Sequence, residues 1–359
     1  NGTNSFTING TENNGILNSA TVNSSGSTFY IYGTAATPST ETKNVGINNS
    51  SSSVTSTGDT FHVGNTTNGS ENRANIGILS TGTSVTVSGS RFNVNAGPSH
   101  VSKPFFEDEN NGILITNGTL TTGTNGGIET TFNINGYRNN GIRFDKGTGT
   151  SIDATFTVNG SNNNGILMNG GSTTPPTAAV QYSTFTVNGN NNNGFHLKND
   201  AGTSSILGSG FTVNGSNNNG VFINSGKTLA SITRSTFTID NNSTSYNNGI
   251  FLEDGATISS ITGTSLGTAD SDWLYTSNSS FDVNNAGVGI LAGNGSGTTQ
   301  ATVNVEKTVI DVSDTNGKTT SGSGTGTGVY LYNGKVTLGD AVQIKGNGND
   351  LSLIHIWRC

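Results

Sequence analysis

The sequence FTVNGSNNNG occurs twice in this chain, at Phe156–Gly165 and at Phe211–Gly220. Between these copies, Phe185–Gly194 reads FTVNGNNNNG and differs at one position. A polar sequence repeated this closely is either a ligand-binding signature or part of a repetitive scaffold. Self-similarity at a period of about 20–50 residues is typical of solenoid proteins, so the repeat favours a scaffold.

The phenylalanine of this stretch recurs along the chain, and we use it as the register mark of each repeat. The mark falls at Phe6, Phe29, Phe61, Phe92, Phe132, Phe156, Phe185, Phe211, Phe237, Phe281 and, in an eleventh copy, Ile310. A small apolar pair follows each mark, usually starting with glycine, as in Gly165-Ile166. The spacing between marks varies from 23 to 44 residues, which indicates inserted loops of different length.

Each repeat contains three short segments with strand character and no helical pattern. In Thr155-Phe156-Thr157-Val158 the apolar residues alternate with threonines, so Phe and Val point to one face. Ile166-Leu167-Met168 forms a second segment, and Ser151-Ile152-Asp153 is an example of a third, weaker one. Short β-rich segments bounded by turn residues predict an all-β chain. The repeat therefore predicts a right-handed parallel β-helix, a solenoid of about eleven irregular coils.

An asparagine or aspartate lies three residues after most register marks. We expect this residue to turn the chain in the left-handed conformation, which asparagine adopts at low cost. Stacked in register, its side-chain amide would hydrogen-bond its neighbour, as in other cross-β stacks. The predicted structural ladder comprises Asn135, Asn159, Asn188, Asn214, Asp240 and Asn284.

Composition argues against several classes of protein. The chain carries 15 Lys and Arg against 22 Asp and Glu, with no basic patch, so we expect no binding to nucleic acid. No apolar run approaches the roughly 18 residues of a membrane-spanning helix. The single cysteine is Cys359, so residues 1–350 offer no thiol for a disulfide or zinc site. We expect no cofactor and no metal ion.

The last nine residues, LSLIHIWRC at positions 351–359, resemble nothing upstream. They match the translation of a transposon end used to prepare sequencing libraries, so we interpret them as an adapter artefact in an assembled metagenomic read. The first residues, NGTNSFTING, begin within a repeat and lack the charged start and apolar run of a signal peptide. We therefore assign residues 1–350 to a single β-helix fragment that is truncated at both ends.

The repeat resembles the passenger region of bacterial autotransporters, and in particular the polymorphic outer-membrane proteins, which combine an FxxN motif with GGA(I/L/V). FxxN occurs here at Phe156–Asn159, Phe185–Asn188 and Phe211–Asn214, among other places. The partner motif differs, because this chain has Asn164-Gly165-Ile166 and similar triplets instead. The resemblance implies a protein of the bacterial cell surface or outer membrane, or a secreted one. It also implies an outer-membrane translocator barrel in the full-length chain.

The resemblance further implies an adhesin, linked to virulence, that presents loops from a β-helical stalk as a monomer. Its partner would be a protein or glycan on a host or neighbouring cell. The longest gaps between marks, Phe92–Phe132 and Phe237–Phe281, are expected to carry specificity, since loops on a rigid scaffold commonly do. Trp273 and Tyr275 are candidate contact residues in the second gap, although they could also pack over the rod.

A polysaccharide lyase or hydrolase, or a phage tailspike, is the alternative, because many β-helices act on polysaccharides. Asp282 and Asp311 each follow a register mark in adjacent coils, so they would stack about 4.8 Å apart. Such a pair can perform acid–base chemistry or bind calcium. No Arg or His lies in register beside them, and two solvated carboxylates explain the pattern equally. We expect no enzyme activity and retain Asp282 and Asp311 as the weak catalytic candidates.

Two other patterns have simple structural explanations. His62, His100 and His196 share no spacing that would form a metal-binding cluster. We therefore expect His62 and His196 to be exposed strand residues and His100 a loop residue. Threonine pairs flank several marks, as they do in ice-binding β-helices, but Gly210 and Asn93 interrupt the array.

Overall fold

The architecture is a parallel β-helix built from three sheets, as the repeat predicts. The computed structural model describes residues 4–10, 12–33, 44–64, 75–95, 109–171, 174–199, 202–240, 246–263, 279–284, 287–295, 297–312, 326–345 and 355–356. Every regular element in these ranges is a strand, so they contain no helix that could cross a membrane. The chain visits sheets 1, 2 and 3 in turn and then returns to sheet 1, as in the predicted right-handed parallel β-helix.

The first compact unit is Asn1–Ala178. Its sheet 1 consists of Ser5–Gly10, Thr28–Gly33, Thr60–Val63, Arg91–Asn95, Thr131–Asn135 and Thr155–Val158. Its sheet 2 consists of Asn14–Asn18, Val45–Asn49, Ile76–Ser80, Asn111–Ile115, Asn140–Phe144 and Asn164–Met168. Its sheet 3 consists of Val22–Ser25, Ser53–Thr57, Ser84–Ser88, Thr119–Gly123 and Thr148–Ile152.

The second compact unit is Ala179–Cys359. Its sheet 1 consists of Thr184–Val187, Gly210–Val213, Thr236–Ile239, Ser279–Val283, Thr308–Asp311 and Gln343–Lys345. Its sheet 2 consists of Asn193–Leu197, Asn219–Ile223, Asn248–Leu252, Val288–Ala292, Thr327–Leu331 and His355–Ile356. Its sheet 3 consists of Thr177–Gln181, which begins just before the unit, Ser205–Leu207, Thr228–Thr233, Thr257–Thr262, Ala301–Val305 and Gly334–Leu338.

The phenylalanine marks form a continuous aromatic stack within each unit. Phe92 pairs with Phe61 on one side and with Phe132 on the other, and all three side chains are fully buried. Neighbouring rings are nearly parallel, with centroids 4.7 Å apart in both contacts. In the second unit Phe237 pairs with Phe281 in the same way, although residues 264–278 intervene. Insertions therefore leave the register of the coils unchanged.

The glycine that opens sheet 2 lets adjacent coils approach closely. A Cβ atom at Gly194 would lie 2.7 Å from the carbonyl oxygen of Gly220 and 3.1 Å from the ring of Phe211. Both neighbours are fixed, because one is backbone and the other is part of the core stack. Glycine is required here for space rather than for a left-handed conformation.

We expect Gly194→Ala to lower the free energy of unfolding by about 1–3 kcal/mol, because the added methyl group overpacks the coil contact. Gly210→Ala is the matched control: the nearest atom to its Cβ would be Thr236 Oγ1 at 3.5 Å, an ordinary contact. The control should leave stability unchanged or raise it by up to about 1 kcal/mol. Urea unfolding followed by circular dichroism measures both, and equal effects of the two changes would contradict the packing explanation.

Candidate functional site

The predicted asparagine ladder is built from direct bonds between side chains. Asn135 donates its amide to Asn95 at 3.1 Å, and Asn159 donates to Asn135 at 3.0 Å. In the second unit Asn214 donates to Asn188 at 3.0 Å. These side chains are thus occupied by neighbouring coils, which leaves less of their hydrogen-bonding capacity for a ligand.

The left-handed position of this turn differs from the expected one. Asn159 does not have a positive φ, whereas Gly160 (φ 84°) and Asn162 (φ 59°) do. The backbone N–H of Asn159 donates to the carbonyl oxygen of Ile134 at 2.8 Å, so Asn159 still belongs to the coil-to-coil ladder of backbone bonds. The expectation was wrong because the chain turns one residue later.

The last two members of the predicted ladder, Asp240 and Asn284, lie in the second unit, and Asn284 makes a different side-chain contact from the asparagines before it. Asp240 keeps the backbone bond of its position, from its N–H to the carbonyl oxygen of Val213 at 2.9 Å. Asn284 also keeps this backbone bond, to the carbonyl oxygen of Ile239 at 2.8 Å, and directs its side-chain hydrogen bond to the carboxylate of Asp282. The Oδ1 atom of Asn284 is buried and has no hydrogen-bond partner among the described residues.

A second asparagine column, which our sequence reading missed, is buried more deeply. The backbone N–H of Asn192 donates to Asn218 Oδ1 at 2.7 Å, and that of Asn218 to Asn247 Oδ1 at 3.0 Å. All three residues have no exposed surface. The Asn218 amide also donates to the Gly189 carbonyl oxygen at 2.9 Å. The signal in the sequence was the asparagine before each Asn-Gly pair.

A serine column, also missed, lies at the corner between sheets 3 and 1. The backbone N–H groups of Ser183, Ser209 and Ser235 donate to the hydroxyls of the next coil, at 3.2, 3.2 and 3.3 Å. The last acceptor is Ser279, and all four residues are buried. The signal was a small hydroxyl residue two positions before most register marks.

The two candidate carboxylates lie side by side on the outer face of sheet 1. Asp282 and Asp311 are direct register partners, and Lys345 is the next residue in the same row. Burial raises the pKa of Asp282, the charge of Asp311 raises it further, and the bond from Asn284 opposes both. Asp282 therefore keeps its proton to a higher pH than an ordinary aspartate, as a general acid must.

Lys345 was missed because its coil has no phenylalanine mark. Ile344 takes the place of the mark and pairs with Ile310. The described residues hold no cluster of three or more His, Cys, Asp or Glu that could bind a metal ion. Trp273, Tyr275 and His100 lie outside the described residues, so their positions stay predictions.

His62 and His196 are half-buried in outward-facing aromatic stacks, so the expectation of exposed residues was wrong. His196 stacks on Phe222 with centroids 4.7 Å apart, and Nε2 lies 2.9 Å from Asn224 Oδ1. Burial, with a smaller contribution from Lys198, lowers the pKa of His196 to about 4 against the opposing bond to Asn224. His62 stacks on Tyr30 at 4.9 Å, and burial lowers its pKa as well.

Comparison with models of known protein families, with curated proteins and with solved structures found no match to this chain.

We expect His196→Phe to reduce the loss of stability on acidification. The lowered pKa means that the neutral imidazole stabilises the fold fully above about pH 6.5, and that this stability is lost as pH falls towards 4. Phenylalanine extends the stack without titrating. Relative to the variant, the wild type should lose about 1–2 kcal/mol more between about pH 7 and pH 4.5. Urea unfolding at both pH values measures this, and equal losses would mean that the ring is not desolvated.

Proposed function

We propose that this chain is the passenger of an autotransporter-like adhesin, at the bacterial cell surface or secreted, which presents loops from a β-helical stalk to a protein or glycan on another cell. The observation that carries the proposal is the position of the insertions. In the first unit, residues 34–43, 65–74 and 96–108 all connect a strand of sheet 1 to the following strand of sheet 2. In three successive coils, a long segment is thus inserted at the same corner.

The stacking of the coils tolerates these insertions. Phe29, Phe61, Phe92 and Phe132 stay paired in register across all three. Sequence can therefore vary at this corner without disturbing the core, which is how a rigid scaffold supports variable binding loops. The described side chains of the coil interior are largely occupied by their neighbours, so recognition by the inserted segments fits the fold best.

Removal of the two longest insertions tests the proposal. Deletion of residues 264–278 joins Gly263 to Ser279 and recreates the regular corner seen at Gly208-Ser209. Replacement of residues 96–109 by Gly-Ser-Asn recreates the corner seen at Gly160–Asn162. The doubly shortened protein should stay folded, with a midpoint of thermal unfolding within about 8 °C of the wild type. Its binding to cultured epithelial cells, measured by flow cytometry, should fall at least about tenfold.

Glu109→Asn, with both insertions intact, is the matched control, because the replacement also removes Glu109. This residue pairs with Arg143 at 3.3 Å, and Arg143 keeps its bond to Asp145 at 2.8 Å in the variant. The control should bind cells as the wild type does. A doubly shortened protein that still binds with unchanged affinity would contradict the adhesin proposal.

The row formed by Asp282, Asp311 and Lys345 favours a second candidate function, action on an acidic polysaccharide. Two adjacent carboxylates with a basic residue in the same row combine an acid, a base and a cation. The raised pKa of Asp282 would suit it as the proton donor to a leaving oxygen. The ammonium group of Lys345 would bind a carboxylate of the substrate.

If this second function operates, purified protein should release reducing ends from polygalacturonate, faster in acid than at neutral pH because Asp282 must be protonated. Asp282→Asn and Asp311→Asn should each lower the rate by about 100-fold or more. Asp340→Asn, at an exposed position, is the control and should have no effect. Absence of any release by the wild type would eliminate this function and leave the adhesin proposal.

A further inference from the structure

Three consecutive coils of the second unit bring Tyr182, Gly208 and Arg234 to one corner, where sheet 3 passes into sheet 1. The backbone N–H of Tyr182 donates to the Leu207 carbonyl oxygen at 2.9 Å, and that of Gly208 to the Thr233 carbonyl oxygen at 2.8 Å. These bonds place the three residues in one column along the solenoid. Each lies three positions before a register mark.

All three residues adopt the left-handed conformation, with φ values of 51°, 58° and 49°. The same corner of the first unit uses glycine, at Gly26 and Gly58. Tyrosine and arginine adopt this conformation only at a cost, so stacking alone would favour glycine at positions 182 and 234. Strained residues of this kind concentrate at functional sites.

The strained tyrosine presents an exposed ring. Tyr182 is 59% exposed, and a Cβ atom at position 208 would lie 2.8 and 2.9 Å from its Cδ1 and Cε1 atoms. Gly208 is therefore what allows the ring to lie along the column. Arg234 Nη2 donates to the Tyr182 hydroxyl at 3.4 Å, so the guanidinium adjoins the edge of the ring.

The guanidinium of Arg234 makes no ion pair with an acidic side chain of the described residues. Its Nε atom also lacks a hydrogen-bond partner there. An unpaired arginine beside an exposed ring is unusual in a chain with a net charge of −7. Guanidinium groups bind carboxylates through charge-assisted hydrogen bonds, and aromatic rings supply a rigid apolar surface.

We propose that Tyr182 and Arg234 form a binding site for an acidic sugar, in which the C–H face of a pyranose ring packs on Tyr182 and its carboxylate pairs with Arg234. This inference rests on the proposed adhesin function and adds to it a second contact, on the wall of the solenoid, beside those made by the inserted segments. A neutral sugar would leave the guanidinium unpaired, and an isolated carboxylate would make no use of the ring.

Titration calorimetry with trigalacturonate and with sialyllactose, each as the free acid and as its methyl ester, tests the site. The wild type should bind at least one free acid more tightly than its ester. Tyr182→Asn should weaken binding of acid and ester by about tenfold or more, because it removes the ring. Asparagine tolerates the left-handed conformation, so this variant should unfold at the same temperature or higher. Arg234→Gln should reduce the affinity for the acid to that for the ester.

Lys307→Gln is the matched control, because Lys307 (φ 46°) is another cation in the left-handed conformation at this corner, and the next coil places Ala341 rather than a tyrosine at the equivalent position. It should leave both affinities unchanged. Equal binding of acids and esters, failure to bind either acid, or wild-type affinity in folded Tyr182→Asn would overturn the proposal. If these variants still bind cells and the doubly shortened protein does not, the sugar site fails and the adhesin function stands. If no form binds cells, the adhesin function fails independently of the sugar measurement.

Discussion

The structure depends on one constraint: each coil must hydrogen-bond in register to the next at the spacing of neighbouring strands, about 4.8 Å. At that spacing a side chain meets the equivalent side chain of the adjacent coil, so a residue type is favoured where it can stack on itself. Phenylalanine rings do so at Phe211 and Phe237, with centroids 4.8 Å apart. Asparagine amides and serine hydroxyls do so through hydrogen bonds. This explains why the sequence repeats a few residue types.

The same constraint explains why only 10% of the residues are charged. Like charges in one column repel each other, and direct register partners of one sign are destabilising. Where Asp282 and Asp311 are stacked, burial and mutual repulsion raise the pKa of Asp282. Where Arg143 occurs, it is neutralised by Glu109 at 3.3 Å and by Asp145 at 2.8 Å. A charged residue in the wall therefore needs an oppositely charged partner, and Arg234, which has none among the described residues, calls for a functional explanation.

The sequence predicts the parts of the fold that stacking makes periodic. Phenylalanine at ten of the eleven marks was sufficient to assign the strands of sheet 1 and their register, because one residue type fills most of the core column. Asn159 and Asn162 could not be told apart as turn residues, since asparagine suits a ladder and a left-handed turn equally. The burial of His196 depends on Phe222 in another coil, which a local pattern does not encode. Lys345 was missed because an isoleucine replaces the mark of its coil.

The candidate sugar site illustrates where a self-stacking solenoid can bind a ligand. A column that repeats one residue uses its donors, acceptors and ring faces within the column. The core stack of Phe185, Phe211 and Phe237 is of this kind, because its rings face each other at 4.6 and 4.8 Å. In the column of Tyr182, Gly208 and Arg234 the residue type changes from coil to coil. The ring of Tyr182 and the guanidinium of Arg234 therefore do not stack on equivalent side chains. Within the wall of the solenoid, as distinct from the inserted segments, recognition is therefore expected at columns whose residues differ from coil to coil.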